Sequence, residues 1–356
     1  MILVEMSGRL GNQMFRYAFA RWLQIQGGEK DMDLTLDFTF IEQERKKGEM
    51  SGWEDSLAHF RTVPYNTVIR SGGSGGSAGS GGSSSSGGSG GSAGSFGSAG
   101  PVHSAGSVFD RLSLFEKPLF YLEAAGEKAA ARLGPARRLE WKKKFLPWEN
   151  RHGIYRLFIG YDYDYRWVDK ELKIVSGPFE CARYPEEIRD KLLAEFTPRR
   201  EPSPGCQEML KRIQDCNSVC ISVRRGNYLL YPMLDVCSPD YFERAALEMT
   251  SRTENPVFFV FSDDVKWARE NLRLPGPVFY ESGEDPVWDK LRLMYSCRHF
   301  IIANSTFSWW AQFLGRAEDK IVIGPDPWFN GPCQPPLRQK NWIVLPASST
   351  VSSSII

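Results

Sequence analysis

The sequence is short of the residues that build most metal and redox centres. Its four histidines (His59, His103, His152 and His299) stand far apart, so a histidine-based metal site has no cluster to form from. The seven cysteines are an odd number without a CxxC pair. Cys216 and Cys220 lack a second pair beside them, and the reading is free thiols in a reducing compartment. Lys and Arg number 44 against 43 Asp and Glu, a net charge of +1, which implies no broad basic face for nucleic acid. The densest basic cluster, Arg137-Arg138 with Lys142-Lys143-Lys144, reads as a solvated helix face. No apolar run is long enough to span a bilayer, and the opening Met1 to Met6 lacks the basic start of a signal peptide. The expected place is the cytosol, with the inner face of the membrane as the alternative. The dinucleotide fingerprint GxGxxG is missing as well.

What is there begins with a strand, Ile2 to Met6, a turn Ser7-Gly8-Arg9-Leu10-Gly11-Asn12-Gln13, and a helix from about Gln13 to Gln26. The two glycines let backbone approach a ligand, and Asn12 offers both a donor and an acceptor; a plain tight turn would carry the same letters. From Leu34 to Arg70 the pattern is mixed and assigns no order of elements. Ser71 to Ser107 is nearly all Gly and Ser, has nothing to bury, and reads as a flexible coil. Beyond it, Ala124 to Arg132 reads as a helix. Glu186 to Phe196 reads as one amphipathic helix, with Ile188, Leu192, Leu193 and Phe196 on one face. Pro198, Pro202 and Pro204 then mark a boundary, so the expected domains are 1–204, interrupted at 71–107, and 205–356.

The second half alternates regularly. A helix near Gln207 to Asp215 precedes the strand Val219 to Val223. Ser238-Pro239 caps a helix to Met249, and Val257 to Phe261 is the next strand. Ser262-Asp263-Asp264 caps a helix to Leu272, and Asp285-Pro286 caps another to Ser296. The strand Phe300 to Ala303, the cap Asn304-Ser305-Thr306, the helix Phe307 to Gly315 and the strand Lys320 to Ile323 complete the series. Alternating helices and all-apolar strands predict an α/β fold with a doubly wound parallel sheet. In such a sheet the strand ends lie on one edge. Arg224-Arg225-Gly226, Ser262-Asp263-Asp264 and Asn304-Ser305-Thr306 therefore share one crevice. Two guanidiniums beside a helix N-terminus suit a phosphate, and the aspartates suit hydroxyls or the N–H edge of a base. Each Ser, Thr or Asp alone would read as a cap and no more; together beside the Arg pair they point to a nucleotide-diphosphate site.

These stretches resemble the α-1,2-fucosyltransferases of glycosyltransferase family 11. The likeness rests on Ser7 to Phe15, Val223-Arg224-Arg225-Gly226, Phe261-Ser262-Asp263-Asp264, Ala303 to Trp310, Gly177-Pro178-Phe179-Glu180 onward to Pro198, and the tail from Lys320 through Asn341-Trp342. It covers about the first thirty residues and nearly everything after Ser176. The resemblance implies a GT-B architecture, two Rossmann-like domains facing a cleft. It also implies transfer of L-fucose from GDP-fucose to a galactoside hydroxyl, with inversion and without a metal or other cofactor. By the same resemblance Arg224 holds the donor's β-phosphate with Arg225 beside it, and Ser305, Thr306 and Phe307 form the phosphate-contacting helix start. Asp263 and Asp264 lie near the guanosine, and Asn12, next to Gly11, reaches the diphosphate-sugar from the opposite domain. Ser222 and Asn304 belong to the donor-site motifs. The expected partners are GDP-fucose and a galactose-terminated oligosaccharide or lipid-linked glycan.

Two positions depart from the family pattern, which usually has His at Ser222 and Asp at Asn227. Asn cannot act as a general base, although it can position the arginines. These departures, with the Gly/Ser segment, keep open a descendant that binds GDP-fucose or a glycan without turnover; a further alternative is a transferase using another GDP-sugar. Asp162-Tyr163-Asp164 has DxD spacing but lies outside the regular α/β half, and no carboxylate in the sequence singles itself out as the base.

Overall fold

The computed structural model describes residues 1–28, 32–46, 54–69, 117–132, 134–158 and 163–348. The Gly/Ser segment 71–107 and Asp162 lie outside the described residues. Eleven strands among them form two sheets. The first contains β1 (Ile2–Glu5), β2 (Leu34–Asp37), β3 (Asn66–Val68), β4 (Ile154–Arg156) and β5 (Lys173–Ser176), in the order β3-β2-β1-β5-β4. The second contains β6 (Asn217–Val223), β7 (Pro256–Ser262), β8 (Val278–Tyr280), β9 (His299–Ile302), β10 (Val322–Asp326) and β11 (Ile343–Pro346), in the order β11-β10-β9-β6-β7-β8. Every pairing within the two sheets is parallel. Read from β8, the second sheet runs third, second, first, fourth, fifth, sixth in chain order, which is the nucleotide-binding arrangement with its reversal between β6 and β9.

The helices in chain order are α1 (Leu10–Gln26), α2 (Thr39–Lys46), α3 (Lys117–Arg132), α4 (Pro135–Lys143), α5 (Leu146–Arg151), α6 (Arg183–Glu187), α7 (Arg189–Glu195), α8 (Pro204–Gln214), α9 (Pro239–Arg252), α10 (Val265–Asn271), α11 (Val287–Ser296) and α12 (Thr306–Leu314). Side chains alternate across a strand, and β6 shows the consequence. Val219, Ile221 and Val223 join a cluster with Tyr241, Phe242 and Ala268 from α9 and α10. Cys220 faces the other way, into a core shared with Trp309 and Trp310 of α12, Leu291 of α11, and Phe15 of α1. The sheet is thus covered on both faces, as continuous apolar strands require. The second of those cores runs unbroken into the first domain.

That continuity fixes how the domains meet. Phe15 packs on Trp309 and Trp310 at centroid distances of 4.8 and 4.9 Å, and Trp310 Nε1 donates to the Gly11 carbonyl at 3.0 Å. Both tryptophans are fully buried. At about 25 cal/mol per Å² and roughly 200 Å² each, their burial stabilises on the order of 5 kcal/mol apiece before ordering costs. Lower on the same helix, Arg21 and Tyr17 both donate to the Glu195 carboxylate of α7.

Some expectations shift. The first helix begins at Leu10 rather than Gln13, so the glycine turn runs directly into helical backbone. The single helix from Glu186 to Phe196 is two, α6 and α7, broken at Ile188 (φ −122°, ψ 25°). Ile188 is buried and leaves helical backbone there, and Arg189 reaches the carbonyls of Phe313 and Gly315 at the end of α12. Asp285 does not cap α11. Pro286 occupies the cap position without a side-chain bond, and Asp285 Oδ2 accepts from the Ser282 hydroxyl instead. The strand read at Lys320 to Ile323 begins at Val322 and continues to Asp326, and β8 and β11 carry too few residues with too mixed a pattern to be read from sequence.

Candidate active site at the two strand-order reversals

Each sheet reverses its strand order at one point, and polar segments leave the strand ends there. In the second sheet these are Arg224-Arg225 after β6 and Asn304-Ser305 after β9. In the first they are Ser7-Gly8-Arg9 after β1 and Gly177 to Glu180 after β5. Gly8 is needed at its position. Its φ of +74° is left-handed, and a Cβ there would stand 2.5 Å from Asn12 Nδ2.

Arg224 is held from three sides. Its Nη1 pairs with Asp263 Oδ2 at 2.8 Å, its Nη2 donates to Asn227 Oδ1 at 2.6 Å, and the guanidinium lies over the Tyr228 ring at 5.2 Å. Two of its five N–H donors are thereby fixed, and the rest stay available for an anion. Asp263 Oδ1 accepts the Arg225 backbone N–H at 2.9 Å. Arg225 lies over the Trp267 ring at 3.5 Å, and its Nε is buried without a hydrogen-bond partner.

Opposite stands the start of α12. Ser305 caps the helix, its Oγ accepting the Phe307 N–H at 3.3 Å. Thr306 Oγ1 donates to Asn12 Oδ1 at 2.7 Å, across the domain boundary. Gly11 lies so close that a Cβ would meet the Phe307 nitrogen at 2.7 Å. The N-termini of α1 (17 residues) and α12 (9 residues) therefore abut, and each helix start carries unsatisfied N–H groups and roughly half a positive charge. Arg9, the cap residue of α1, completes the group. Its pKa is lowered by partial burial and by the charge of Arg224, with Asp263 and Tyr228 also in electrostatic range. Burial pushes the Tyr228 phenol up to about 12, and Arg224 and Ser305 draw it back down.

The structure brings Gly11, Asn12, Arg224, Arg225, Asp263, Ser305, Thr306 and Phe307 to this one place. Ser222 and Asn304 sit beneath it, both buried. Ser222 Oγ lies 2.7 Å from Ser308 Oγ, tying β6 to α12, and Asn304 Nδ2 donates to the Leu234 carbonyl at 2.9 Å. Asp264 caps α10, accepting the Trp267 N–H at 3.0 Å. Asp164 pairs with Arg183 at 2.9 Å. Arg9, Arg16, Tyr228 and Glu180 were not singled out by sequence, although Arg9 and Glu180 stand inside the motifs quoted for the resemblance. A cavity of about 350 Å³ opens at the far, amino-terminal end of β6, between Gln214, Ser218 and Arg298; it is remote from Arg224 and Arg225.

Fold and site together define a protein of two nucleotide-type domains that converge positive charge on a common point. Residues 154–345 match the family model described as "Glycosyl transferase family 11". That span is more than half of the 356 residues, and the chain belongs to glycosyl transferase family 11. It is 34% identical over 179 residues to the O-antigen biosynthesis glycosyltransferase WbnK of Escherichia coli, covering 47% of this chain and 59% of that one. An alpha-1,2-colitosyltransferase of Escherichia coli is 33% identical over 162 residues, covering 43% of this chain and 55% of that protein. The galactoside alpha-(1,2)-fucosyltransferase 1 of Leontopithecus chrysomelas is 29% identical over 169 residues, covering 42% and 46%. The chain spans about half the length of the curated relatives it matches. Among solved structures, the NodZ alpha-1,6-fucosyltransferase soaked with GDP-fucose overlaps 90% of this chain and 94% of its own, with a TM-score of 0.41 and 8% identity. No helix among the described residues is long and apolar enough to cross a membrane.

Proposed function

We propose that this chain transfers L-fucose from GDP-fucose to the 2-hydroxyl of a terminal galactoside, with inversion, using arginine rather than a metal ion to stabilise the leaving diphosphate. One observation carries the reading. Two helix N-termini, Arg9 and Arg224 converge on a single point between the domains. Negative charge grows on the diphosphate as the sugar–phosphate bond breaks, and fixed positive groups stabilise that charge without reorganising. Asp263 and Asn227 hold Arg224 in place beforehand. Asn227 thus serves as a positioning group, a role that needs no ionisable side chain. Family membership and the names of the relatives support the reaction class.

The sugar has a rival, because one relative at 33% identity is named a colitosyltransferase. Incubation with GDP-fucose and a panel of galactosides, followed by linkage analysis, tests the proposal. The expected product carries a fucose linked α-1,2, formed equally well in EDTA. Activity lost in EDTA and restored by Mn²⁺ overturns the metal-free mechanism. Binding of GDP with no GDP release on any galactoside points instead to a non-catalytic binder.

A further inference from the structure

An inverting transfer needs a group that takes the acceptor's proton. Among the described carboxylates at the strand ends of the two sheets, most are engaged. Asp263 is shared by Arg224 and the Arg225 N–H, and Asp264 caps α10. Asp37 accepts the Thr39 N–H, and Glu5 is bonded to Ser176. Glu281 pairs with Lys290 and Asp326 with Arg338. Glu180 is 9% exposed, and its Oε2 is buried with no hydrogen-bond partner. Glu281 Oε2 is likewise without a hydrogen bond but is ion-paired to Lys290, whereas Glu180 has no ion pair among the described residues.

The segment after β5 that carries it is unusual. Gly177 has φ +119° and Phe179 has φ +52°, a left-handed backbone on a non-glycine residue. Such strain persists where the surroundings enforce it. Here Phe179 stacks on Phe19 at 4.0 Å, and the Ala182 N–H donates to the Pro336 carbonyl at 2.9 Å. The segment therefore holds Glu180 at the reversal point of the first sheet, on the side where the domains meet. Among the described residues, two titratable or charged groups face Glu180: Arg16 from α1 and the Tyr228 phenol from the segment after β6. Arg16 itself is bonded to Ser7 and to the Asn12 carbonyl. Burial pushes the Glu180 carboxyl up to about 7, against the opposing pull of Arg16.

We infer that Glu180 is the base that accepts the proton of the attacking acceptor hydroxyl. This rests on the transferase reading above. As the acceptor oxygen bonds to the sugar's anomeric carbon, its proton passes to Glu180 Oε2. The bond from that carbon to the β-phosphate oxygen breaks, and GDP leaves with the electron pair. An unpartnered carboxylate is suited to receive a hydroxyl proton, and a pKa close to working pH balances proton affinity against the ionised fraction.

The test compares wild type, Glu180→Gln and Glu180→Asp with GDP-fucose and a galactoside. The expected wild-type kcat/KM rises with pH around about 7. In Glu180→Gln that limb vanishes and the plateau falls roughly 10²- to 10³-fold, with calorimetric GDP affinity unchanged. Glu180→Asp keeps the limb at a reduced plateau. Unfolding by urea provides a readout free of turnover: the wild-type midpoint declines between about pH 4.5 and pH 7, and the Gln variant's does not. A Gln variant within about two-fold of wild type, with its pH limb intact, overturns the base assignment and leaves the transferase reading standing. Wild type that transfers fucose to no galactoside overturns both.

Discussion

Replacing Gly11 with alanine tests whether the domain junction sets the geometry of the cleft. The added Cβ would stand 2.6 Å from Thr306 Oγ1, 2.7 Å from the Phe307 nitrogen and 2.9 Å from the Thr306 carbonyl carbon. Two of these are backbone atoms of the first turn of α12 and cannot swing aside. The third belongs to a side chain already bonded to Asn12. Restoring ordinary contact requires the two helix starts to separate by roughly 0.5–0.8 Å, and overpacking of this kind costs about 1–3 kcal/mol. Alanine recovers up to about 1 kcal/mol over glycine within a helix, which leaves a net loss of about 0–2 kcal/mol. Activity suffers more, because a misplacement approaching 1 Å at a reacting site can cost roughly 10²-fold. Urea midpoints and fucosyl transfer measured on the same preparation give both numbers. Gly205→Ala is the control: that glycine lies in the first turn of α8 with nothing within 4 Å of its would-be Cβ, and its replacement gains about 0.4–1 kcal/mol. If Gly11→Ala proves as stable and as active as Gly205→Ala, the junction does not govern the cleft.

Arg224→Ala removes one preorganised cation and leaves Asp263 without its pair, so kcat for transfer falls by about 10²-fold or more, on the order of 3 kcal/mol; parent-like kcat in a single-turnover assay contradicts the role given to Arg224. For Glu180, burial raises the folded-state pKa from 4.5 to about 7. The neutral form is favoured by the fold, so its contribution is complete below about pH 4.5 and is lost as pH rises through about 7. At about 1.36 kcal/mol per pH unit across that interval, Glu180→Gln gains at most on the order of 3 kcal/mol at about pH 9 and little at about pH 4; equal gains at both pH values contradict the linkage. Glu195→Ala removes the carboxylate that Tyr17 and the largely buried Arg21, 10% exposed in its side chain, share, and is expected to cost about 3–5 kcal/mol by denaturation, whereas a loss below about 1 kcal/mol means that water replaces the carboxylate.

Much of the second domain was legible because its signals are local. A continuous apolar run such as Val257 to Phe261 reads as a buried strand, and Ser238-Pro239 reads as a cap, which its bond to the Tyr241 N–H bears out. The reversal between β6 and β9 is not written in any one segment, yet alternation of element type was enough to place Arg224 and Ser305 on a common edge. The first domain was harder. β2, β3 and β4 have three or four residues each, too few for periodicity to separate them from loops. The roles of Ser222, Asn304 and Asp264 also escaped local reading, since a polar residue in a motif looks the same whether it faces a ligand or braces a helix.

By itself the sequence determined the fold class, the strand-end clusters and the family motifs, because each depends on neighbours within a few residues along the chain. Only the tertiary structure decided that the starts of α1 and α12 touch, that Arg9 comes within range of Arg224, and that Glu180 is buried unpartnered beside Arg16. Asn12 and Thr306 lie 294 residues apart. Their contact arises from packing Phe15 against Trp309 and Trp310, and burial of apolar surface acts on what is near in space, whatever its place in the chain.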